Sequence, residues 1–355
     1  MQILKSTNYS IEIGSILDSS FHSVLETQYK QSKKIILVDE NTKYHCLEYL
    51  ITSFSELSNA EIIELPAGEE NKQMDFCIQV WEVLTEYHID RNALMINVGG
   101  GVISDMGGFI SSLYKRGISF LNIPTTLLAM VDASVGGKTG VDLGVFKNQV
   151  GFFSFPKVVY IDSCFLATLD NIQIKNGTAE MIKHGLIYDK NHWNILKEVL
   201  FSKSNITDDL IQQSVNIKNQ IVIKDPFEKN ERKKLNFGHT VGHAIESVFL
   251  ELNNPILHGF AIAAGIQIES FISFKMNFLN QVEYEEISNI ILQYYPKISI
   301  QPEYFDKIIS NTKQDKKNSN SQIKMVLLKS IGEAVVDVEV VVEIIKIGIL
   351  NYVQT

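Results

Sequence analysis

His239 and His243 stand four residues apart in the stretch Asn236-Phe237-Gly238-His239-Thr240-Val241-Gly242-His243. At about 3.6 residues per turn, imidazoles at that spacing share one face of a helix. Glu180 lies far upstream and His258 further along the chain. An imidazole pair, a third histidine and a distant carboxylate can hold a metal ion while leaving a coordination position open to substrate. On spacing alone, His239 and His243 are candidate ligands together. A second feature, Gly99-Gly100-Gly101-Val102-Ile103-Ser104-Asp105, joins a predicted strand to a helix predicted over 106–114. Glycines there let the backbone approach a diphosphate, and the helix start offers free N–H groups. The spacing is not G-x-G-x-x-G, so a tight strand-to-helix turn is the alternative.

Ala133-Ser134-Val135-Gly136-Gly137-Lys138-Thr139 ends like a phosphate-binding P-loop. The position where that loop needs its first glycine is Asp132, whose charge would repel phosphate. An ATPase or GTPase is therefore rejected. Arg116, Lys138, Lys147, Asn148, Lys183, Lys218, Arg232 and the pair Lys316-Lys317 fall beside glycine or motif segments. Lys138 next to glycines, and Lys183 one helical turn after Glu180, suit a pocket for an anionic metabolite. His22, His45, His88 and His192 lack such neighbours, and His184 stays open.

The elements that must position these groups change character along the chain. Lys34–Asp39, Glu61–Leu65 and 94–98 are β-branched runs that read as strands, while 69–88 spaces Phe76, Val80, Trp81 and Leu84 helically. This alternation predicts a parallel sheet with helices on its faces. Beyond about residue 170 strands become rare, and helical patterns run through 179–188, Asp208–Lys224, 240–252 and 259–278. A Lys/Asn/Ser-rich stretch over 313–322 reads as a mobile loop before a strand over 323–328. The layout is an α/β domain, 1–170, followed by a mainly helical one, 171–355, with the active site between them.

Composition bounds the partners. The 355 residues carry a formal charge of −9, which argues against a general nucleic-acid binder. Three cysteines, Cys46, Cys77 and Cys164, form no C-x-x-C pair and read as reduced thiols, with Cys77 in the core. The N-terminus lacks a signal-peptide layout, and the most apolar run, 118–131, is broken by Pro124 and two threonines. A cytoplasmic protein with no membrane partner is expected.

In order, GGGVISDMGGF, YKRG, IPTTLLAMVDASVGGKTGVD, KNQVG, GTAEMIKHGLI, LNFGHTVGHAIE, LHG and DKK resemble the 3-dehydroquinate synthase family from about residue 35 to 332. The resemblance implies an α/β N-terminal Rossmann-like NAD-binding domain followed by a mainly α-helical C-terminal domain, typically as a homodimer. It implies Glu180, His239 and His258 as ligands of a divalent metal, with zinc first and cobalt second, and turns His243 toward substrate and proton transfer. Asp39, Asn41, Glu69, Lys72, Gly100, Gly101, Val102, Asp105, Thr125, Thr126, Lys147, Phe165, Thr168 and Leu169 match NAD-binding positions. His243, Lys138, Lys183, Asn148 and Asp132 match catalytic positions. Arg116, Lys218, Arg232, Asn236, Lys316 and Lys317 match the substrate pocket, Arg116 being an arginine that reaches the neighbouring subunit's site. Where many members have His-Gly-Glu, this chain has His258-Gly259-Phe260, so the surroundings of His258 differ.

The implied reaction turns 3-deoxy-D-arabino-heptulosonate 7-phosphate into 3-dehydroquinate and phosphate by transient oxidation, elimination, reduction and aldol closure. Rival readings are a sister sugar-phosphate cyclase acting on glucose 6-phosphate or sedoheptulose 7-phosphate, a metal-dependent polyol dehydrogenase, and a non-catalytic relative.

Overall fold

The β-branched runs of the first half pair side by side, as their two-sided hydrophobicity requires. The computed structural model describes residues 1–144, 146–202, 204–312 and 322–355. The chain divides into two compact units, Met1–Ile174 and Lys175–Thr355. In the first, strands β1 (Gln2–Lys5), β2 (Ser10–Ile13), β3 (Lys34–Asp39), β4 (Glu61–Leu65), β5 (Leu94–Gly99), β6 (Ser119–Pro124) and β9 (Val158–Ile161) form one sheet. Its order is β1-β2-β9-β6-β5-β3-β4, parallel throughout except for β1 at the edge. All six residues of β5 are buried, as are Ile35 to Val38 of β3, so these are the central strands.

Helices α1 (Met74–Glu86) and α2 (Gly101–Leu113) bury Cys77, Val80, Leu84, Met106 and Phe109 with Ile35, Leu37 and Met95. Helix α2 starts at Gly101, earlier than the predicted 106. Glycine is a poor helix interior residue, but an extended Gly100 (φ −73, ψ −165) turns the chain and the first helical turn accepts glycine. The segment after Gly137 (φ 67) enters β7 (Lys138–Leu143), which pairs antiparallel with β8 (Phe146–Phe153). A P-loop would enter a helix there, a second reason against that reading. The three cysteines are free, and Cys77 is buried.

The second unit holds α3 (Asn171–Tyr188, its start shared with the first unit), α4 (Lys190–Ser202), α5 (Asp208–Lys224), α6 (His239–Glu251) and α7 (His258–Lys275). After them come α8 (Gln281–Tyr294), α9 (Phe305–Thr312) and α10 (Val342–Gln354). It also has an antiparallel ribbon of β10 (Gln322–Ser330) and β11 (Glu333–Val341). The alternation in β11 escaped the sequence reading because register shifts and Asp337, at φ 57, interrupt its period. Helices α6 and α7 run antiparallel in close contact. A Cβ on Gly242 would meet Ala261 O at 3.0 Å, and one on Gly265 would overlap Gly238 O. Below them a core of Val241, Ile245, Val248, Ile268, Ile272, Leu327 and Ile349 fixes both helices. Among the described residues, no helix is long and apolar enough to cross a membrane.

Candidate active site

Strand order in the first unit reverses between β3, which leads outward to β4, and β5, which leads the other way to β6. Ligands of open parallel sheets bind outside the carboxyl ends of strands at such a switch point. Asp39 closes β3, Gly99 closes β5 and opens onto Gly100, Gly101 and Val102, and Pro124 closes β6 before Thr125 and Thr126. Thr125 N donates to Gly99 O at 3.0 Å, tying two of these ends together. The Asp39 carboxylate accepts the Thr42 N–H (2.8 Å) in a capping box, and Asn41 is exposed on that turn. Phe165 is buried in the turn after β9, while Thr168 is exposed and Leu169 half-buried.

Buried Lys72 gathers the polar groups of this region. Its Nζ lies 2.7 Å from Asp105 Oδ2, 2.7 Å from Asn148 Oδ1 and 3.9 Å from Glu69 Oε1. Lys147 reaches the same Glu69 oxygen at 3.5 Å. Burial alone would lower the Lys72 pKa, but the charges of Asp105 and Glu69 raise it above the ordinary lysine value. Burial raises Asp105 against the pull of Lys72. Both shifts run upward, and the lysine keeps the proton. Asn148, at φ 52, belongs to this cluster, its N–H donating to Asp142 Oδ1 at 2.6 Å. Lys138 is exposed at the start of β7, Asp132 is half-buried in the turn 129–133, and Arg116 is exposed at φ 68.

In the second unit His239 opens α6, His243 follows one turn later, His258 opens α7, and Glu180 is fully buried in α3. Glu180 Oε1 is 3.5 Å from His239 Nε2 and 3.6 Å from His258 Nε2. Ligand atoms each about 2.0–2.1 Å from one tetrahedral ion lie about 3.4 Å apart, so these donors fit a zinc-sized ion. Both rings turn their other nitrogen to a protein acceptor: His239 Nδ1 to Phe237 O (3.1 Å) and His258 Nδ1 to Glu246 Oε2 (3.3 Å). An Nδ1–H held that way leaves the Nε2 lone pair for a metal. His243 is exposed, its ring 4.9 Å from that of His239 and 5.5 Å from that of His258. The three imidazoles also offer nitrogens within 4.8 Å of one another, so proximity alone admits His243 as a ligand.

Charge sorts the groups further. Burial, and then the nearby Lys183, His243 and His258, hold His239 well below the usual histidine value, so it is neutral as a ligand must be. Burial would lower His258, but Glu246 and Glu180 push it up to about 10, so a binding cation displaces a proton there. Lys183, 1% exposed, forms an ion pair with the other Glu180 oxygen one turn away.

Around these residues stand groups the sequence left open and others, such as Asn176 and Glu246, that it did not single out. Asn176, one turn before Glu180, accepts the Gly259 N–H at 2.6 Å and ties the start of α7 to α3. Buried His184 meets Ser214 Oγ of α5 through Nδ1 at 2.7 Å; Lys218, 5% exposed, is one turn further along α5. Phe260, next after Gly259 on α7, packs edge-on to Tyr295 at 5.4 Å, and the Tyr295 hydroxyl donates to Lys175 O (2.8 Å). Glu246 had a visible signal, since at seven residues past His239 it falls on the same helix face.

Arg232 and Asn236 lie on the turn Glu231–Asn236 just before α6. The Asp225 carboxylate accepts N–H groups of Lys229 (2.9 Å), Asn230 (2.6 Å) and Arg232 (3.1 Å), folding the loop back on itself. Buried Arg232 donates from Nη1 to Pro226 O (2.6 Å), and Asn236 Nδ2 donates to Glu228 Oε1 (2.8 Å). Lys316 and Lys317, with most of the loop expected over 313–322, lie outside the described residues.

The fold is shared with NAD-linked sugar-phosphate cyclases and, more distantly, with alcohol dehydrogenases. A 2-deoxy-scyllo-inosose synthase solved with carbaglucose-6-phosphate, NAD+ and Co2+ superposes with TM-score 0.86 at 24% identity, covering 97% of this chain and 98% of that one. A 2-epi-5-epi-valiolone synthase from Streptomyces hygroscopicus, solved with NAD+ and Zn2+, gives 0.85 at 24% identity over 100% and 99%. NADH-dependent butanol dehydrogenase A from Thermotoga maritima gives 0.67 at 13% over 99% and 98%. Models of the 3-dehydroquinate synthase N-terminal and C-terminal regions match residues 62–176 and 177–318. The 3-dehydroquinate synthase of Parabacteroides distasonis is 42% identical over 306 residues, 86% of each chain, and that of Clostridium botulinum 41% over 335 residues, 93% of this chain and 95% of its own. The chain belongs to the 3-dehydroquinate synthase family.

Proposed function

We propose that this chain converts 3-deoxy-D-arabino-heptulosonate 7-phosphate into 3-dehydroquinate and phosphate, working in the cytoplasm as a homodimer with NAD and one divalent metal, zinc before cobalt. The observation that carries the reading is the buried Glu180 carboxylate at 3.5 and 3.6 Å from the Nε2 atoms of His239 and His258. Family membership supplies the substrate. When bound, NAD supplies a transient hydride acceptor and the metal a Lewis acid that polarises substrate oxygens.

Glu180, His239 and His258 hold the metal. Lys183 balances the Glu180 charge and presents an ammonium to the anionic substrate. His243, exposed beside the ligands, moves a proton on the substrate, and Asp132, Lys138 and Asn148 are assigned catalytic roles of their own. Lys218, Arg232, Asn236 and the Lys316-Lys317 pair bind carboxylate and phosphate, where fixed cations stabilise charge on the leaving group. The strand ends from Asp39 to Thr126, with Glu69, Lys72, Lys147, Phe165, Thr168 and Leu169, bind NAD. Arg116 serves the neighbouring subunit, which makes dimerisation functional.

A phosphate-release assay on the heptulosonate phosphate with catalytic NAD+, with and without a chelator, tests this. Phosphate should appear without NADH accumulation, and the chelator should abolish it. Stoichiometric NADH would favour a polyol dehydrogenase, and turnover only on glucose 6-phosphate or sedoheptulose 7-phosphate a sister cyclase.

A further inference from the structure

Glu269 is a carboxylate that the proposed chemistry leaves unused. It is the one acidic residue of α7 and is fully buried. Its Oε2 accepts the Gly238 N–H at 2.7 Å and its Oε1 the Val241 N–H at 3.0 Å, and the Thr240 N–H also bonds the carboxylate. Burial pushes the carboxyl up to about 8 against the pull of these three donors.

The first turn of a helix leaves N–H groups that an N-cap side chain normally satisfies. Helix α6 has Gly238 at its N-cap, at φ 79, and so has no side chain to supply. The group comes from the neighbouring helix instead. Gly265, one turn before Glu269 on the same face of α7, lies so close to Gly238 that a Cβ would overlap its carbonyl oxygen. That approach lets the Glu269 side chain reach the start of α6. His239, the first residue of α6, sits between the bonded N–H groups.

We propose that Glu269 is a positioning residue for His239, fixing the first turn of α6 so that the imidazole meets Glu180. The inference rests on the reading of Glu180, His239 and His258 as a metal site. A carboxylate that merely fastened two helices would affect melting and leave metal binding alone.

The test uses Glu269→Gln in the full chain, which keeps the buried shape but sets an amide NH2 against backbone N–H donors. Zn2+ affinity is measured by competition with a chromophoric chelator, and the Co2+ absorption spectrum reports ligand geometry. Zinc affinity should fall about ten- to a hundredfold with an altered Co2+ spectrum, while NAD+ affinity is unchanged. Ile272→Val, in the core on the same helix, should lower the melting temperature and leave zinc affinity as in wild type. Wild-type zinc affinity and Co2+ spectrum in Glu269→Gln would overturn the proposal, whatever its melting temperature. Wild type binding zinc no better than Glu180→Gln would instead remove the metal reading, and this inference with it. Should Glu269→Gln not fold, amide exchange of Thr240 and Val241 in wild type decides: zinc should slow it, and unchanged exchange counts against the coupling.

Discussion

The strand ends of the first unit and the helix starts of the second solve the same problem with different materials. Around Gly99 to Gly101 and Thr125 the available groups are largely backbone N–H and C=O, set by sheet register and a helix start. Around His239 and His258 they are side chains, each held by a polar neighbour: Phe237 O and Glu246 behind the imidazoles, Lys183 beside Glu180, and Asn176 at the Gly259 N–H. A backbone site tolerates side-chain change as long as the turn keeps its shape. A side-chain site depends on a connected set of buried polar groups, and loss of one leaves others without their partner. Variants should therefore separate the two regions cleanly.

The largest separation is expected from Glu180→Gln. Removing the shared carboxylate should cost zinc binding outright and lower kcat by about a thousandfold or more, since the metal contributes several kcal/mol at the transition state. NAD+ affinity, measured by fluorescence titration, should stay at the wild-type value. A parallel loss of NAD+ binding would break the contrast between the regions.

His243→Ala sharpens it within the second unit. A proton-transfer group typically contributes about a hundred- to ten-thousandfold, so kcat should fall in that range while metal analysis finds zinc retained. Loss of zinc in this variant would make His243 a ligand and return the site to the three-histidine set that proximity allows.

Lys72→Met tests the first region, where one buried side chain does matter. It would leave Asp105 and Glu69 without their shared counter-charge, and breaking a buried pair from one side costs about 3–5 kcal/mol. Chemical denaturation should show that loss together with weaker NAD+ binding, and zinc affinity should not change.

This difference in materials also decided what could be read from the sequence. The parallel sheet was legible because β3 and β5 are short, mostly apolar β-branched runs, and the glycine turn because successive glycines between a strand pattern and a helix pattern mark a turn. The histidines of the candidate metal site were visible by type, but spacing alone did not tell which of the two on α6 turns toward Glu180, and only the family resemblance favoured His239. That depends on Nδ1 partners, one of them a backbone carbonyl that no residue type announces. Glu269 was readable only as an acid among apolar residues, and its role required knowing that Gly265 brings α7 against Gly238. The hairpin β7–β8 and strand β11 were missed because glycines and register shifts hide their period.

The smallest effect concerns the loop that carries Arg232. Burial opposes ionisation of Asp225, but N–H donors from Asn230, Lys229 and Arg232, with the Arg232 charge, hold its carboxyl below the ordinary aspartate value. A carboxyl lowered in the folded chain favours folding in its ionised form. That contribution is complete above the unfolded value, roughly pH 4, and is lost as pH falls through the folded one. Asp225→Asn should thus cost about 1–2 kcal/mol at neutral pH, because the amide replaces one acceptor oxygen by a donor facing donors. The gap between wild type and variant should close as pH falls below the carboxylate range, and KM for the anionic substrate should rise more than kcat falls as the Arg232 loop loosens. A gap that stayed constant down to strong acid would mean that the three N–H bonds do not depend on the charge, and that Arg232 is held by its turn alone.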